Sequence, residues 1–198
     1  MYRRPDSGWI EVICGPMFSG KSEELIRRVT RSKIARLKVQ TFKPALDVRY
    51  ADAHVVSHSS LRAEAAPVAD SAELIRRVEE TTLVVGIDEG QFFDDGLVDV
   101  CEGLAAAGKQ VIVAGLDLDF MRRPFEPIPT LCGRAEYVTK SLAVCHRCGG
   151  PALYTQRIVR SDDLVVLGAQ DAYEARCRYC YDPTEPEQPA FELDDQTV

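Results

Sequence analysis

The run Gly15-Pro16-Met17-Phe18-Ser19-Gly20-Lys21-Ser22 fits G-x-x-x-x-G-K-[ST] at every fixed position. Glycines let such a loop wrap so that its N–H groups face a phosphate. The helix that follows adds the positive end of its dipole. Lys21 is placed to reach the β- and γ-phosphates of a nucleotide, and the Ser22 hydroxyl to ligate Mg²⁺. The motif carries this meaning only between a strand and a helix. The apolar stretch at residues 9–14 supplies the strand. A helical stretch from Lys21 to about Leu37 supplies the helix, with Leu25, Ile26 and Val29 on one side and many Arg and Lys residues on the other.

A second group of candidates ends another apolar run, Leu83-Val84-Val85-Gly86-Ile87-Asp88-Glu89. An acid at that position of a phosphate-loop protein holds Mg²⁺, with Asp88 acting through a water. The neighbouring Glu89 is a candidate base, either on water or on a substrate hydroxyl. Attack by water makes a nucleoside triphosphatase, and attack by a hydroxyl makes a kinase. The Asp-Glu pair by itself does not separate the two.

The third group is Cys145-His146-Arg147-Cys148 and Cys177-Arg178-Tyr179-Cys180, two C-x-x-C pairs with 28 residues between them. Such knuckles suit tetrahedral Zn²⁺ held by four thiolates, a closed and therefore structural site. The wide gap requires a loop that leaves the site and returns. Four thiolates on Zn²⁺ carry a net charge of about −2, and Arg147, Arg176 and Arg178 are placed to offset it. His146 reads as an exposed spacer, with metal ligation as the alternative. Cys14, Cys101 and Cys132 stand alone in the sequence and read as buried thiols.

The elements that must position these groups alternate. Strands are expected at 9–14, 38–43, 83–88 and 110–115, with helices at 71–80 and 96–107 besides the one after the phosphate loop. This order predicts an α/β fold with a parallel central sheet and helices on both faces. The character of the chain changes near residue 141. Residues 1–140 read as the phosphate-loop domain, 141–181 as a small zinc-binding domain and 182–198 as a flexible tail. That tail has three prolines, six acids and no base.

The 198 residues carry a net charge of −7, with 45% hydrophobic and 28% charged residues. An acidic balance argues against a nucleic-acid partner. The cationic helix face at Arg27, Arg28, Arg31, Lys33 and Arg36 reads as solvated. No apolar run approaches the ~18 residues that span a bilayer, and residues 1–14 lack the apolar core of a secretory signal. The expected compartment is the cytoplasm, where the seven cysteines are reduced or metal-bound.

Taken together, several segments resemble the zinc-containing thymidine kinases. They are the phosphate loop, Asp47-Val48-Arg49-Tyr50, Gly86-Ile87-Asp88-Glu89-Gly90-Gln91-Phe92-Phe93, Leu116-Asp117 with Phe120 and Pro124-Phe125, Tyr154-Thr155, and the two Cys pairs. The likeness spans residues 9 to 181. It implies a RecA-like domain, a zinc-bearing lasso domain and transfer of the ATP γ-phosphoryl group to the 5′-hydroxyl of thymidine. By position, Glu89 matches the catalytic base, while Asp47, Arg49, Asp88 and Gln91 match the nucleotide site. Arg49 is the candidate for stabilising the transition state. Met17, Phe92, Leu116, Phe120, Phe125 and Thr155 match the thymidine pocket. Leu164, Val166, Gly168 and Tyr173 match the lasso that closes over the nucleoside. The resemblance further implies a homotetramer and feedback inhibition by dTTP. The rival reading is a zinc-ribbon, RecA-like ATPase that acts with a nucleic acid or a protein partner.

Overall fold

Alternation within the apolar runs decides which face of the sheet each side chain serves. The computed structural model describes residues 7–45, 65–159 and 172–183. Six strands form one sheet: β1 (Trp9–Cys14), β2 (Val39–Pro44), β3 (Ala66–Val68), β4 (Val84–Ile87), β5 (Gln110–Gly115) and β6 (Tyr137–Lys140). Their spatial order is β3-β2-β4-β5-β1-β6, and every neighbouring pair is parallel. One strand, β5, therefore separates the strand that feeds the phosphate loop from the strand that ends in Asp88. The expected α/β fold of RecA-like type is the one observed.

Among the described residues four helices cover the sheet: α1 (Lys21–Ile34), α2 (Ser71–Arg77), α3 (Gly96–Ala106) and α4 (Ile128–Arg134). Ile13, Val84, Ile112 and Ala114 pack with Leu25 and Val29 of α1. The alternate residues Ile10, Val12, Val85, Ile87, Val111 and Val113 point the other way. They meet Leu74 of α2, Leu97, Val98, Cys101 and Leu104 of α3, and Ile128 and Leu131 of α4. The runs are apolar throughout because both faces are covered. Gly86 permits α1 to sit close, since a Cβ there would lie 2.9 Å from Thr41 Cγ2 and 3.1 Å from Val29 Cγ2.

Polar contacts fix the helix ends and shift them from their expected positions. Helix α1 stops at Ile34, three residues early. Arg36 turns left-handed at φ 59, and Leu37 N–H donates back to the Ser32 carbonyl at 3.1 Å. No glycine marks this stop in the sequence. Helix α2 stops at Arg77 because Gln40 of β2 intervenes. Its amide donates to the Arg77 carbonyl at 3.0 Å and accepts from Glu79 N–H at 2.8 Å. The short β3, α4 and β6 had no clear periodicity and were not expected.

The cationic face of α1 is not wholly solvated. Arg28 is 16% exposed and bonds Glu11 on β1 at 2.7 Å, Glu24 at 2.8 Å and Thr139 on β6 at 2.9 Å. Glu11 also accepts from Trp9 Nε1 and Gln110 Nε2, each at 2.7 Å. Hydrogen bonds from Arg27, and then from Arg28, hold the Glu24 carboxyl at a pKa of about 2. Cys14 and Cys132 are not isolated either. Their thiols share a hydrogen bond, which together with burial pushes the Cys14 thiol up.

Past β6 the chain forms two small antiparallel pairs. These are β7 (Ala143–Val144) with β8 (Pro151–Ala152), and β9 (Tyr154–Arg157) with β10 (Tyr173–Arg176).

Asp94 ties two helix N-termini together. Its carboxylate accepts from Ser71 Oγ at 2.6 Å, Ser71 N–H at 2.9 Å and Gly96 N–H at 2.9 Å. The Ser71 hydroxyl, followed by these N–H groups, holds its pKa below the ordinary value. Asp94→Ala is expected to cost about 1–2 kcal/mol at pH 7. A depressed carboxylate stabilises the fold above its unfolded pKa of about 3.9 and loses that effect as the pH falls through the folded value. The gap between parent and variant therefore narrows in acid, which denaturant titrations at pH 7 and pH 3 check.

Candidate active site

Four strands of the parallel sheet end at one edge, where open α/β sheets bind their ligands. Gly15 follows β1, Asp88 and Glu89 follow β4, Leu116 and Asp117 follow β5, and Ser141 follows β6. The phosphate loop occupies residues 15–20, between β1 and α1. Gly15 has φ 140, and a Cβ there would lie 2.2 Å from the Ser141 carbonyl oxygen, so only glycine fits. Phe18 and Gly20 also take positive φ, 65° and 77°. Ser19 Oγ and Lys21 Nζ both donate to the Pro16 carbonyl, at 2.8 and 2.7 Å, which pulls the loop into a closed turn. Burial lowers the Lys21 pKa, while the charges of Glu89, Asp88 and Asp117 oppose that fall.

Ser22 Oγ donates to Asp88 Oδ1 at 3.1 Å, which joins the start of α1 to the end of β4. With its proton directed to Asp88, the Ser22 oxygen keeps its lone pairs for a cation, the arrangement expected of a Mg²⁺ ligand whose neighbouring acid acts through a water. Asp88 also accepts from Glu89 N–H at 3.0 Å and is 5% exposed.

Glu89 adopts the left-handed conformation, φ 53 and ψ 42, and a 3₁₀ turn at Gly90–Phe92 follows it. A glutamate held there stores strain of order 1 kcal/mol. Gln91, 3% exposed, donates to Glu89 Oε2 at 2.7 Å and accepts from Leu116 N–H at 2.9 Å. It bridges the ends of β4 and β5 and fixes the direction of the Glu89 carboxylate.

The aromatic candidates stand outside the core. Phe93 is buried among the apolar residues, whereas Phe92, Phe120 and Phe125 are half-buried and belong to none of the core clusters of the described residues. Phe92 and Phe125 meet edge to face, with centroids 6.0 Å apart. The Arg157 guanidinium lies 3.6 Å from the Phe120 ring centroid, and its Nη2 donates to Tyr173 Oη at 3.2 Å. Thr155 Oγ1 accepts from Met17 N–H at 3.0 Å, so β9 reaches the phosphate loop.

Cys145, Cys148, Cys177 and Cys180 converge, with their sulfurs within 4.8 Å of one another. Tetrahedral Zn–S bonds of ~2.3 Å put sulfurs about 3.8 Å apart. Cys148 Sγ and Cys177 Sγ are 3.6 Å apart, which suits a shared metal and is far beyond the ~2.05 Å of a disulfide. Burial opposes ionisation of Cys145, but hydrogen bonds from the backbone of Cys177, Cys148 and Arg147 outweigh it and hold its pKa at about 6. His146 stays outside the cluster, 3.5 Å from Glu174. Arg176 pairs with Glu174, and Arg178 lies 5.5 Å from the Tyr154 ring centroid. Their charge is thus partly engaged elsewhere.

Of the residues singled out in the sequence, the structure brings the phosphate loop, Asp88, Glu89, Gln91, Leu116 and Thr155 to one edge of the fold. Asp47, Arg49, Leu164, Val166 and Gly168 lie outside the described residues. Sequence reasoning missed Arg157, Tyr181 and Lys140. Tyr181 Oη donates to the Phe120 carbonyl at 2.7 Å, and Arg122 lies 4.6 Å from the Tyr181 ring centroid. These partners are far apart in the chain, so no local spacing announces them.

Fold and site together define a phosphate-loop α/β protein with a cluster of four cysteines spaced to hold a metal ion. Residues 8–181 match the family model described as "Thymidine kinase". A curated relative, "Thymidine kinase" of Rhodothermus sp. (strain ITI 518), is 56% identical over 179 residues, covering 90% of this chain and 84% of the relative. The chain belongs to the thymidine kinase family. Among solved structures, the flagellar accessory protein FlaH of Methanocaldococcus jannaschii aligns with a TM-score of 0.47 and 14% identity, over 80% of this chain and 75% of that one. No helix among the described residues is long and apolar enough to cross a membrane.

Cys177→Ser removes one of four converging ligands. The expected result is loss of bound zinc, measured by elemental analysis, together with a lowered thermal midpoint. Unchanged zinc content would count against the four-sulfur site.

Proposed function

We propose that the protein transfers the γ-phosphoryl group of ATP to the 5′-hydroxyl of thymidine, giving dTMP for nucleotide salvage. The observation that carries this reading is Glu89, presented at the strand end beside Asp88 and held by Gln91. A carboxylate fixed this way suits proton removal from a positioned hydroxyl.

In this reading the loop N–H groups and Lys21 hold the nucleotide phosphates. Ser22 and Asp88 hold Mg²⁺, which neutralises charge developing on the transferring group. Met17, Leu116, Phe92, Phe120, Phe125 and Thr155 receive the nucleoside, and Tyr173 stands behind Phe120 through Arg157. Residues 141–181 act as the zinc-bearing domain. The segment between the two Cys pairs, with Leu164, Val166 and Gly168, closes over thymidine and excludes water, which suppresses ATP hydrolysis. Arg49 stabilises the transition state, and Asp47 belongs with it to the nucleotide site. The working assembly is a cytoplasmic homotetramer inhibited by dTTP, with no nucleic-acid or membrane partner. Residues 184–198, most of the acidic tail, lie outside the described residues.

The first test is ADP release from ATP and Mg²⁺ by zinc-loaded protein, with and without thymidine. ADP formed only with thymidine, matched by an equal amount of dTMP, supports the kinase. ADP formed equally without thymidine would mean that Glu89 activates water, as in a partner-driven ATPase. Glu89→Gln is expected to cut phosphoryl transfer by roughly 10²–10⁴-fold while leaving ATP binding nearly intact. Unchanged turnover would sink the base assignment.

A further inference from the structure

Three adjacent strands end at the phosphate loop, and the outer two are tied to each other across the middle one. Gly115 at the end of β5 and Lys140 at the end of β6 are both register partners of Cys14, the last residue of β1. Two residues past Gly115, the Asp117 carboxylate accepts from Lys140 Nζ at 2.6 Å. The ion pair therefore straps the sheet at the point where β1 gives way to Gly15. The same end of β6 touches the loop directly. Ser141 N–H donates to the Cys14 carbonyl at 2.8 Å, and the Ser141 carbonyl leaves no space for a Cβ on Gly15.

Asp117 is 8% exposed. Its own carbonyl accepts from Phe125 N–H at 3.1 Å and so closes the 117–125 loop. Its charge acts on the phosphate site, because it opposes the fall in the Lys21 pKa alongside Glu89 and Asp88. Burial works against the charge on Lys140, but the bond to Asp117 together with the charges of Asp117, Cys14 and Cys132 outweighs it and raises its pKa. Left without its partner, the Asp117 carboxylate would be a buried negative charge beside the place where a triphosphate must sit. It would repel the phosphates and compete for Lys21.

We propose that Lys140 and Asp117 are positioning residues for nucleotide binding: their ion pair cancels a buried charge next to Lys21 and holds β5 and β6 at a fixed spacing around the entry of the phosphate loop. The inference rests on the part of the proposed function in which the loop binds ATP. It differs from a purely structural role in one respect. If the pair only staples the 117–125 loop, neutralising Asp117 cannot repair the loss of Lys140. If charge matters, it can.

The test uses full-length, zinc-loaded protein, with Mg²⁺–ATP binding followed by calorimetry and KM values measured for both substrates. Lys140→Met is expected to weaken ATP binding about five- to tenfold, because removing one partner leaves the other charge uncompensated. The loss should appear in KM for ATP rather than in KM for thymidine. The double variant Lys140→Met with Asp117→Asn should bind within about twofold of wild type, since contacting residues are not additive. Unaltered ATP affinity in Lys140→Met would overturn the proposal, and so would a double variant no tighter than the single one. If Lys140→Met does not fold, Lys140→Arg and Asp117→Asn carry the test, both expected within about twofold of wild-type affinity. A tenfold loss in either would refute the charge argument. Wild type that binds ATP without phosphorylating thymidine would defeat the kinase reading and leave the binding comparison intact.

Discussion

Backbone N–H groups that are to meet an anion must be withheld from the sheet on one side and the helix on the other. Much of the fold serves that constraint. The ladder of β1 with β5 and β6 runs as far as Cys14 and stops. Helix α1 begins at Lys21, and the residues between adopt positive φ at Gly15, Phe18 and Gly20. Such a loop is unstable unless its surroundings hold it. The Ser141 contact clamps its entry, the Pro16 carbonyl gathers Ser19 and Lys21, and Thr155 takes the Met17 N–H. Arg28 and Glu11 set the seat of α1 on the sheet, and with it the direction of the helix N-terminus.

The chemistry depends on neighbouring strand ends keeping their distances. Ser22 with Asp88 joins α1 to β4, and Gln91 joins the Glu89 carboxylate to the Leu116 backbone. These links run between buried or half-buried groups, where a broken hydrogen bond costs more than it does in water. The strain at Glu89 persists because Gln91 and the 3₁₀ turn leave it no alternative. Asp88 and Glu89 are adjacent in sequence, yet their carboxylates point to different partners, Ser22 and Gln91.

The cysteine module is joined to the same edge by its own residues. β9 runs from Tyr154 to Arg157, so one strand offers Thr155 to the phosphate loop and Arg157 to Phe120. Tyr181, just past the last knuckle, holds the Phe120 carbonyl, and Arg122 lies beside its ring. Asp119 shapes the intervening turn by accepting from Met121 and Arg123 N–H at 2.8 Å each. The strands that leave the cysteine cluster thus carry side chains into the site, so the geometry of the knuckles and that of the site are joined.

Contiguous signals were legible in the sequence. The phosphate loop, the Asp88-Glu89 strand end and the paired Cys-x-x-Cys knuckles are each local, and each needs a particular residue at a particular spacing. The alternation of apolar strands and amphipathic helices likewise pointed to a parallel sheet covered on both faces. Helix ends were less legible, because the stop of α2 depends on Gln40, far away in the chain, and α1 turns through Arg36 where a glycine would have been the signal. Thin elements such as β6 carry too few residues to show a period. The sequence also could not tell the half-buried Phe92, Phe120 and Phe125 from core aromatics, since burial belongs to the packed molecule. By itself it determined the groups available for chemistry and the fold class, because both follow from local residue type and spacing. Only the tertiary structure decided which charges are cancelled, as Lys140 cancels Asp117, and which side chains support the site. Those pairings join residues brought together by strand order, and strand order is written in no single stretch of the chain.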